Sequence, residues 1–323
     1  MKSFSQVRQV VATVALAALS FGAQSVPIYS LANGGETLVR FDSSTPGTVI
    51  VVGAITGAAG GGSLSGLDFR PATGLLYGYQ QRSPGNQQNS SSIYFVDTNT
   101  GATTLSSTFS AGTTGQTGID FNPVVDRLRV VSTGDNNLRI NVDTGAATVD
   151  TMFAYGIGDP NFGINPNIVD AAYTFSDRNP ATGTSLYYID SGLGTLVTTS
   201  NPNGGVLTTV GSLLGSNINI DPNNVGFDIF TDSNGVNTAF ASLQVGSTTS
   251  LYTVNLATGA ATPIGPIMGF GRQLFGLAVA LPVAVNAIPE PGTLALFGAA
   301  VLAFGITRRR AAGSVVKTPA SRT

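Results

Sequence analysis

Two stretches with one pattern decide the fold: "GLDFRPATGLLYGYQ" at Gly66–Gln80 and "GIDFNPVVDRLRVVS" at Gly118–Ser132. Each contains two apolar, β-branched or aromatic runs separated by turn residues, which is typical of a β-hairpin. A further strand and turn follow each stretch, "IYFVDTNTGATTLSS" at Ile93–Ser107 and "LRINVDTGAATVDT" at Leu138–Thr151. The repetition predicts a unit of four strands.

Looser copies of the unit continue along the chain. "VDAAYTFSD", "VGFDIFTD" and "LFGLAVALP" each begin one, and the spacings between the five unit starts are 52, 51, 56 and 50 residues. Four strands at this period match the blades of a β-propeller. The unit starts are Leu67, Ile119, Asp170, Gly226 and Gly276.

The fifth unit stops after one strand, at Pro282. Its other strands can come from the beginning of the body, where "PIYSLA", "ETLVRFD" and "TVIVVG" are strand-like. Closing the ring this way removes unpaired sheet edges, which promote aggregation. We therefore predict an all-β fold, a five-bladed propeller over residues 26–283. A pair of β-sandwiches and another blade count remain the alternatives.

Short "TG" segments punctuate the units and are predicted to be hairpin turns rather than ligand-binding loops. Glycine supplies the positive φ that such turns require, and Asp or Thr bonds the local backbone. The segments are Asp97–Gly101, Asp143–Gly145 and Ala257–Gly259.

The composition excludes several kinds of chemistry. The chain has no Cys, His or Trp, and residues 26–287 contain no Lys. Ser-His-Asp triads, cysteine nucleophiles and Ser-Lys pairs are therefore excluded from the body, and zinc, copper and haem sites lose their usual ligands. That body carries eight arginines against sixteen acids, a net charge of −8. Such a charge does not suit a nucleic-acid backbone.

The N-terminus has the pattern of a secretory signal peptide, predicted over residues 1–25. Lys2 and Arg8 precede an apolar run from Val10 to Leu19, and Ala23-Gln24-Ser25 fits a small-x-small cleavage site before Val26. The chain is therefore predicted to be exported.

The C-terminus reads "IPEPGTLALFGAAVLAFGITRRR" from Ile288 to Arg310. We predict a linker at 284–291, a transmembrane helix at 292–307 and a basic cytoplasmic tail at 308–323, with the arginines on the cytoplasmic side. This order resembles the PEP-CTERM sorting signal. The resemblance implies recognition of Pro289, Glu290 and Pro291 by an exosortase, with Arg308, Arg309 and Arg310 as the basic cluster. The alternative is a generic C-terminal anchor.

The body resembles a second family. "GIDFNPVVDRLRVVSTGDNNLRINVDTGAATVD" at Gly118–Asp150 and "LYTVNLATGAATPIG" at Leu251–Gly265 are similar to the domain of unknown function 4394. The resemblance implies an exported repeat protein and carries no known activity, so no catalytic residue follows from it.

Three aspartates are weak catalytic candidates: Asp68, Asp120 and Asp228, at equivalent positions of the first strand of their units. In a propeller that strand lines the axis, so the carboxyl groups would converge and could act as acid and base or hold a cation. The structural alternative is that they accept hydrogen bonds from backbone amides or from arginines. The latter are Arg127, Arg129 and Arg139.

Two further patterns have functional and structural interpretations. Arg127 and Arg129 share a strand face and would either clamp an anionic sugar or pair with Asp120, Asp126 and Asp143. "DPNN" at 221–224 and "DSNG" at 232–235 are Asx-rich segments in which calcium is possible, but neither has the ligand count of an EF-hand loop, so they are interpreted as turns. No cofactor and no metal-ligand set are assigned.

Two functions remain. The first is a non-catalytic propeller of the cell envelope or matrix, at the periplasm, outer surface or outside the cell, that binds polysaccharide or an envelope protein. The second is a carboxylate-dependent hydrolase or lyase acting on envelope polysaccharide through Asp68 and Asp120. An exosortase is the predicted processing partner, and the C-terminal helix would hold the chain in the membrane before processing.

Overall fold

The computed structural model describes residues 25–59, 63–81, 90–177, 179–215, 220–269 and 274–282. The chain divides into two units, residues 1–281 and 282–323. Of the second unit, only Pro282 is described. None of the described helices has the length and apolar character of a membrane span. The predicted signal peptide up to residue 24, the linker at 284–291, the helix at 292–307 and the basic tail lie outside the described residues.

Within the described residues, twenty-one strands form five sheets, in which all strand pairs but one are antiparallel. The closing blade contains β1 (Pro27–Ala32), β2 (Thr37–Asp42) and β3 (Thr45–Ala54). Blade 1 contains β4 (Gly66–Arg70), β5 (Leu75–Gln80), β6 (Ser91–Val96) and β7 (Thr103–Phe109). Blade 2 contains β8 (Thr117–Asn122), β9 (Arg127–Ser132), β10 (Asn137–Asn141) and β11 (Ala146–Val149).

Blades 3 and 4 and the last strand complete the set. Blade 3 contains β12 (Ala154–Tyr155), β13 (Ile168–Tyr173), β14 (Leu186–Asp190), β15 (Thr195–Asn201) and β16 (Val206–Ser212). Blade 4 contains β17 (Gly226–Thr231), β18 (Asn237–Val245), β19 (Thr248–Val254) and β20 (Ala261–Pro266). The last strand is β21 (Leu274–Val279), and short 3-10 helices lie at Asn33–Gly35, Pro180–Thr182 and Pro222–Asn224.

The ring closes by pairing the end of the body with its beginning. β21 is the innermost strand of the closing blade and pairs antiparallel with β1, Ile28 opposite Val279 and Ala32 opposite Leu274. The backbone N–H of Ala280 also donates to Pro27 O at 2.9 Å. The predicted five-bladed propeller with a shared closing blade is confirmed.

The five innermost strands, β4, β8, β13, β17 and β21, contact one another in sequence around the axis. Apolar side chains fill the spaces between adjacent blades in five buried clusters, one at each junction. Because every blade face is buried against a neighbour, no blade has a complete core of its own. Burial of this apolar surface is the main stabilising term for the ring.

The predicted "TG" turns are confirmed. Gly101, Gly145 and Gly259 have φ of 78°, 74° and 78° and join the two outermost strands of their blades. At Gly101 a side chain would also press on the backbone carbonyls of Gly53 and Ala54 in the preceding blade. The glycine is therefore required by the turn and by the blade junction together.

Blade 3 departs from the repeat through β12, which runs parallel to β16 at the outer edge. The 56-residue spacing from Asp170 to Gly226 has another origin: twelve residues, 174–185, connect β13 to β14, whereas four residues connect the first two strands of blades 1 and 2. The strand β12 itself, two residues long, was too short to be predicted.

A substitution at Ile28 tests how the ring is closed. This residue is fully buried in the closing blade, so Ile28→Ala is expected to lower the free energy of unfolding by about 2–5 kcal/mol. Urea denaturation followed by far-UV circular dichroism measures the change. Val51→Ala, in the same sheet but 56% exposed, is the matched control and should change it by less than about 0.5 kcal/mol. Equal effects of the two changes would contradict the buried closure.

Candidate functional site: the propeller axis

The sequence-predicted aspartates lie together at the axis. Asp68 of β4, Asp120 of β8 and Asp228 of β17 are 5%, 2% and 4% exposed. One carboxylate oxygen from each lies within 4.8 Å of the others. The structure therefore brings the three candidates into one buried cluster.

Each of these carboxylates binds the innermost strand of the next blade. Asp68 Oδ2 accepts from the backbone N–H of Phe121 at 2.7 Å, and Asp228 Oδ2 accepts from that of Val279 at 2.6 Å. Asp120 Oδ1 accepts from Tyr173 at 3.2 Å. An innermost strand has one edge without a strand partner, and a buried N–H there needs an acceptor. The carboxylates supply that acceptor across the blade junctions.

Blade 3 makes the same link from a different position. Ala172 stands where the other blades have aspartate, and Asp170, two residues earlier on the same face, accepts from Phe227 N–H of blade 4 at 2.8 Å. A side chain at Gly118 would collide with Asp170, so the glycine makes room for it. In the sequence Asp170 marks only the start of a unit, and the repeat pattern did not predict that it belongs to the axial cluster. The pattern that could have identified Asp170 is its position two residues before Ala172, where the repeat predicts an aspartate.

Burial and the closeness of the carboxylates raise the pKa values of the cluster. Burial, with the neighbouring charge of Asp228, raises the pKa of Asp68 well above its usual range. The pKa of Asp120 rises through burial and the charge of Asp68, and burial raises the pKa of Asp170. Burial raises the pKa of Asp228 to about 7. Near neutral pH the cluster therefore retains protons that free aspartates would lose.

The cluster has the donor atoms of a hard-cation site as well as the features of a proton-sharing site. Carboxylate oxygens are the ligands that Ca²⁺ takes, and three of them face one another here. However, both oxygens of Asp68 and both oxygens of Asp228 accept backbone N–H bonds. Shared protons relieve the repulsion without disturbing these bonds, so the arrangement fits protons better than a metal.

The arginine pairing predicted from sequence is wrong in its partners. Arg70, which was not a candidate, binds Asp126 and Asp143 with its guanidinium at 2.5 and 2.7 Å. It lies in blade 1 while both acids lie in blade 2, and its hydrogen bonds to them raise its pKa. Asp126 and Asp143 are therefore occupied by an arginine from the preceding blade, which a single-strand pattern does not reveal.

Arg129 and Arg139 share Asp150 instead. Asp150 Oδ2 lies 2.7 Å from Arg129 Nη1 and 2.7 Å from Arg139 Nε. Arg129 is 2% exposed and also donates to Asn203 of blade 3. Arg127 donates to the carbonyls of Val125 and Asp126. The bond to Asn203 joins blade 2 to blade 3, and the guanidinium groups of Arg129 and Arg139 are bound to Asp150 rather than free to clamp an anionic sugar.

The two Asx-rich segments are turns. Asp232 Oδ1 accepts from the backbone N–H groups of Asn234 and Val236 at 2.8 Å each. Asp221 Oδ1 accepts from Asn223 N–H at 3.0 Å and caps the 3-10 helix Pro222–Asn224. In both segments the carboxylate binds its own turn, as the structural interpretation predicted.

A cavity of about 310 Å³ opens at the end of the axis where the innermost strands begin. Its described side chains come from blades 1 and 2, the segment before blade 4 and the closing blade, and none of these is charged. We call it the axial mouth; its lining residues are Gly34, Ser63, Leu64, Ser65, Gln81, Gly115, Gln116, Thr117, Asn223 and Phe275. The four aspartates of the cluster do not line it.

Comparison with known proteins identifies the two segments of the chain separately. The family model described as domain of unknown function 4394 matches residues 37–278. The PEP-CTERM protein-sorting motif matches residues 287–310. The search of curated proteins found no match.

Solved structures with similar folds come from several bacteria. A protein from Lactobacillus plantarum is 13% identical, with 76% of this chain and 82% of that chain covered and a TM-score of 0.41. A protein of unknown function from Bacteroides thetaiotaomicron is 14% identical, with 80% and 68% covered and a TM-score of 0.45. The Pseudomonas aeruginosa periplasmic gluconolactonase is 13% identical, with 75% and 83% covered and a TM-score of 0.42. No activity transfers at these values.

The acid cluster predicts an unusual pH dependence. Because the folded state holds protons that the unfolded chain releases above about pH 4, the stability from this cluster is fully present below that pH. It is lost as pH rises through the folded pKa, about 7 for Asp228. The urea midpoint at about pH 8.5 should therefore be lower than at about pH 5.5.

Asp228→Asn should flatten this dependence, because the amide cannot ionise. Asp232→Asn, at a surface turn where backbone hydrogen bonds lower the pKa, should leave the slope between these pH values unchanged. A wild-type midpoint that rises from acid to alkaline pH would contradict the buried, protonated cluster.

Proposed function

The chain belongs to the family of domain of unknown function 4394, and we propose that it is an exported propeller that binds uncharged polysaccharide at its axial mouth. Its PEP-CTERM motif implies export, processing by an exosortase-type system and sorting to the cell envelope. The observation that carries the binding proposal is the uncharged, hydrogen-bonding lining of the mouth.

Amide and hydroxyl side chains in the mouth match the hydroxyl groups of a sugar. Gln81, Gln116 and Asn223 each offer a donor and an acceptor, and Thr117 and the serines add hydroxyls. Phe275 supplies an apolar face.

The amides of the mouth are already oriented. Gln116 Nε2 donates to Asn223 Oδ1 at 2.8 Å, which joins blade 2 to the segment before blade 4. Thr117 Oγ1 donates to Gln81 Oε1 at 3.2 Å, and Gln81 Nε2 donates to Thr113 O. Side chains that are ordered before binding lose less entropy when a ligand arrives.

The charge of the body favours the same ligand class. Its net charge of −8 would repel an anionic polymer.

Substitutions in the mouth test the proposal. We expect uncharged glycans to be bound on a glycan array, and Gln116→Ala and Asn223→Ala each to weaken binding in titration calorimetry. Loss of one hydrogen bond, about 0.5–1.5 kcal/mol, corresponds to roughly 2–10-fold in affinity.

Asn99→Ala, in an outer turn of blade 1, is the matched control and should bind as wild type. Absence of binding to every uncharged glycan, or equal loss in the control, would contradict a glycan site at the mouth and favour a protein partner instead.

The second candidate is a hydrolase or lyase that uses Asp68 and Asp120. Their closeness and raised pKa favour it, since general acids need such values. Their burial and their bonds to backbone amides favour the structural role. We therefore propose that the protein releases no new reducing or unsaturated ends from a polysaccharide that it binds.

Assay of end groups with wild type, Asp68→Asn and Asp120→Asn decides between the two. A catalytic pair would release ends in the wild type and lose about 100-fold or more in rate in either variant. Thermal melts of both variants control for unfolding.

A further inference from the structure

Four side-chain oxygens in and beside blade 4 are buried without a hydrogen-bond partner among the described residues. All four residues are at most 4% exposed, so water outside the protein does not reach them. The atoms are Asn224 Oδ1, Ser242 Oγ, Gln244 Oε1 and Thr249 Oγ1.

The strand register puts these side chains on one face. Gln244 of β18 lies opposite Thr249 of β19, and Ser242 is two residues from Gln244 on the same face of β18. Ser242 lies opposite Gly226 of β17, where an added side chain would contact Leu277 of β21. The shared face is therefore the one packed against the closing blade.

Asn224 reaches the same place from the 3-10 helix Pro222–Asn224, two residues before Gly226. That helix contacts both β18 and β21. The unpaired oxygens thus gather at the junction of blade 4 with the closing blade, near the end of the propeller that carries the axial mouth.

The two amides are oriented by bonds on their nitrogen side. Gln244 Nε2 donates to Gly246 O at 2.8 Å, and Asn224 Nδ2 donates to Asp221 Oδ2 at 3.1 Å. Their oxygens therefore point away from these partners, as acceptors. Across the junction the wall is apolar, with Leu274 and Leu277 buried.

We propose that these four oxygens form a binding site for an internal water molecule. Two amide oxygens accept, and two hydroxyls can donate, which together complement the two O–H groups and two lone pairs of water. Buried waters characteristically make two to four such bonds to polar groups that otherwise have no partner. Neutral oxygens alone offer a cation no charge to replace its hydration, so water fits better than an ion.

The site joins the closing junction to the mouth. Asn223, which lines the mouth, and Asn224, which faces the water, are neighbours on the same short helix. A water bound to Asn224 would fix this helix against β18 and β19. This consequence concerns stability and does not depend on what the mouth binds.

The direction in which one substitution shifts the melting temperature tests the proposal. Val has the shape of Thr without its hydroxyl, so Thr249→Val removes one water partner and should lower the melting temperature by about 2–4 °C. If the hydroxyl has no partner in solution, the same change removes an unsatisfied buried group and should raise the melting temperature. An unchanged or raised value overturns the proposal.

Ser107→Ala is the matched control, because Ser107 Oγ is also unpaired but lies in blade 1, away from the other oxygens. It should leave the melting temperature unchanged or raise it.

A crystal structure at about 1.5 Å should show density within about 2.6–3.2 Å of at least three of the four oxygens. Melting temperatures in sodium, potassium and choline chloride at equal ionic strength should agree. A dry site in the crystal or an ion-specific rise would overturn water as the occupant.

Discussion

The propeller depends on satisfying the inner edge of each blade. A four-stranded sheet standing beside the axis has N–H groups on its innermost strand that no strand of its own sheet can bind. In four of the five junctions an aspartate of one blade accepts such an N–H from the next, at Phe121, Tyr173, Phe227 and Val279. These bonds connect strands that share no ladder, so they help to set the order and spacing of the blades.

The remaining junction, from the closing blade to blade 1, has no aspartate. Ala278 occupies the position, fully buried among apolar residues of the two blades. This junction is joined instead by apolar packing and by backbone bonds such as the one that Thr103 N–H donates to Thr56 O at 2.8 Å, while the ladder between β1 and β21 closes the ring within one blade. A carboxylate repeated in the fifth blade would add another buried charge to a cluster that already raises its own pKa values, so an alanine there limits the repulsion.

The sequence repeat made the fold predictable, but it did not reveal the side-chain contacts between strands and blades. Hydrophobic alternation and the "TG" turns predicted the strands, and the truncated last unit predicted closure with the N-terminal strands. The pairing of Arg70 with Asp126 and Asp143 joins different blades, and that of Arg129 with Asp150 reaches across blade 2. Such contacts depend on side-chain direction in three dimensions, which periodicity does not encode. Asp170 was missed for the same reason, because a two-residue shift along one strand keeps the face but breaks the alignment.

The same geometry separates architecture from function in this protein. An aspartate that holds two blades together must keep its oxygens on fixed backbone amides, whereas a catalytic carboxylate must turn them toward a substrate. In Asp68 and in Asp228, both carboxylate oxygens accept hydrogen bonds from backbone N–H groups. Most residues of the axial mouth lie outside the innermost strands, and Thr117 and Phe275 lie at the starts of β8 and β21, so changes at the mouth leave the carboxylate bonds of the axis in place.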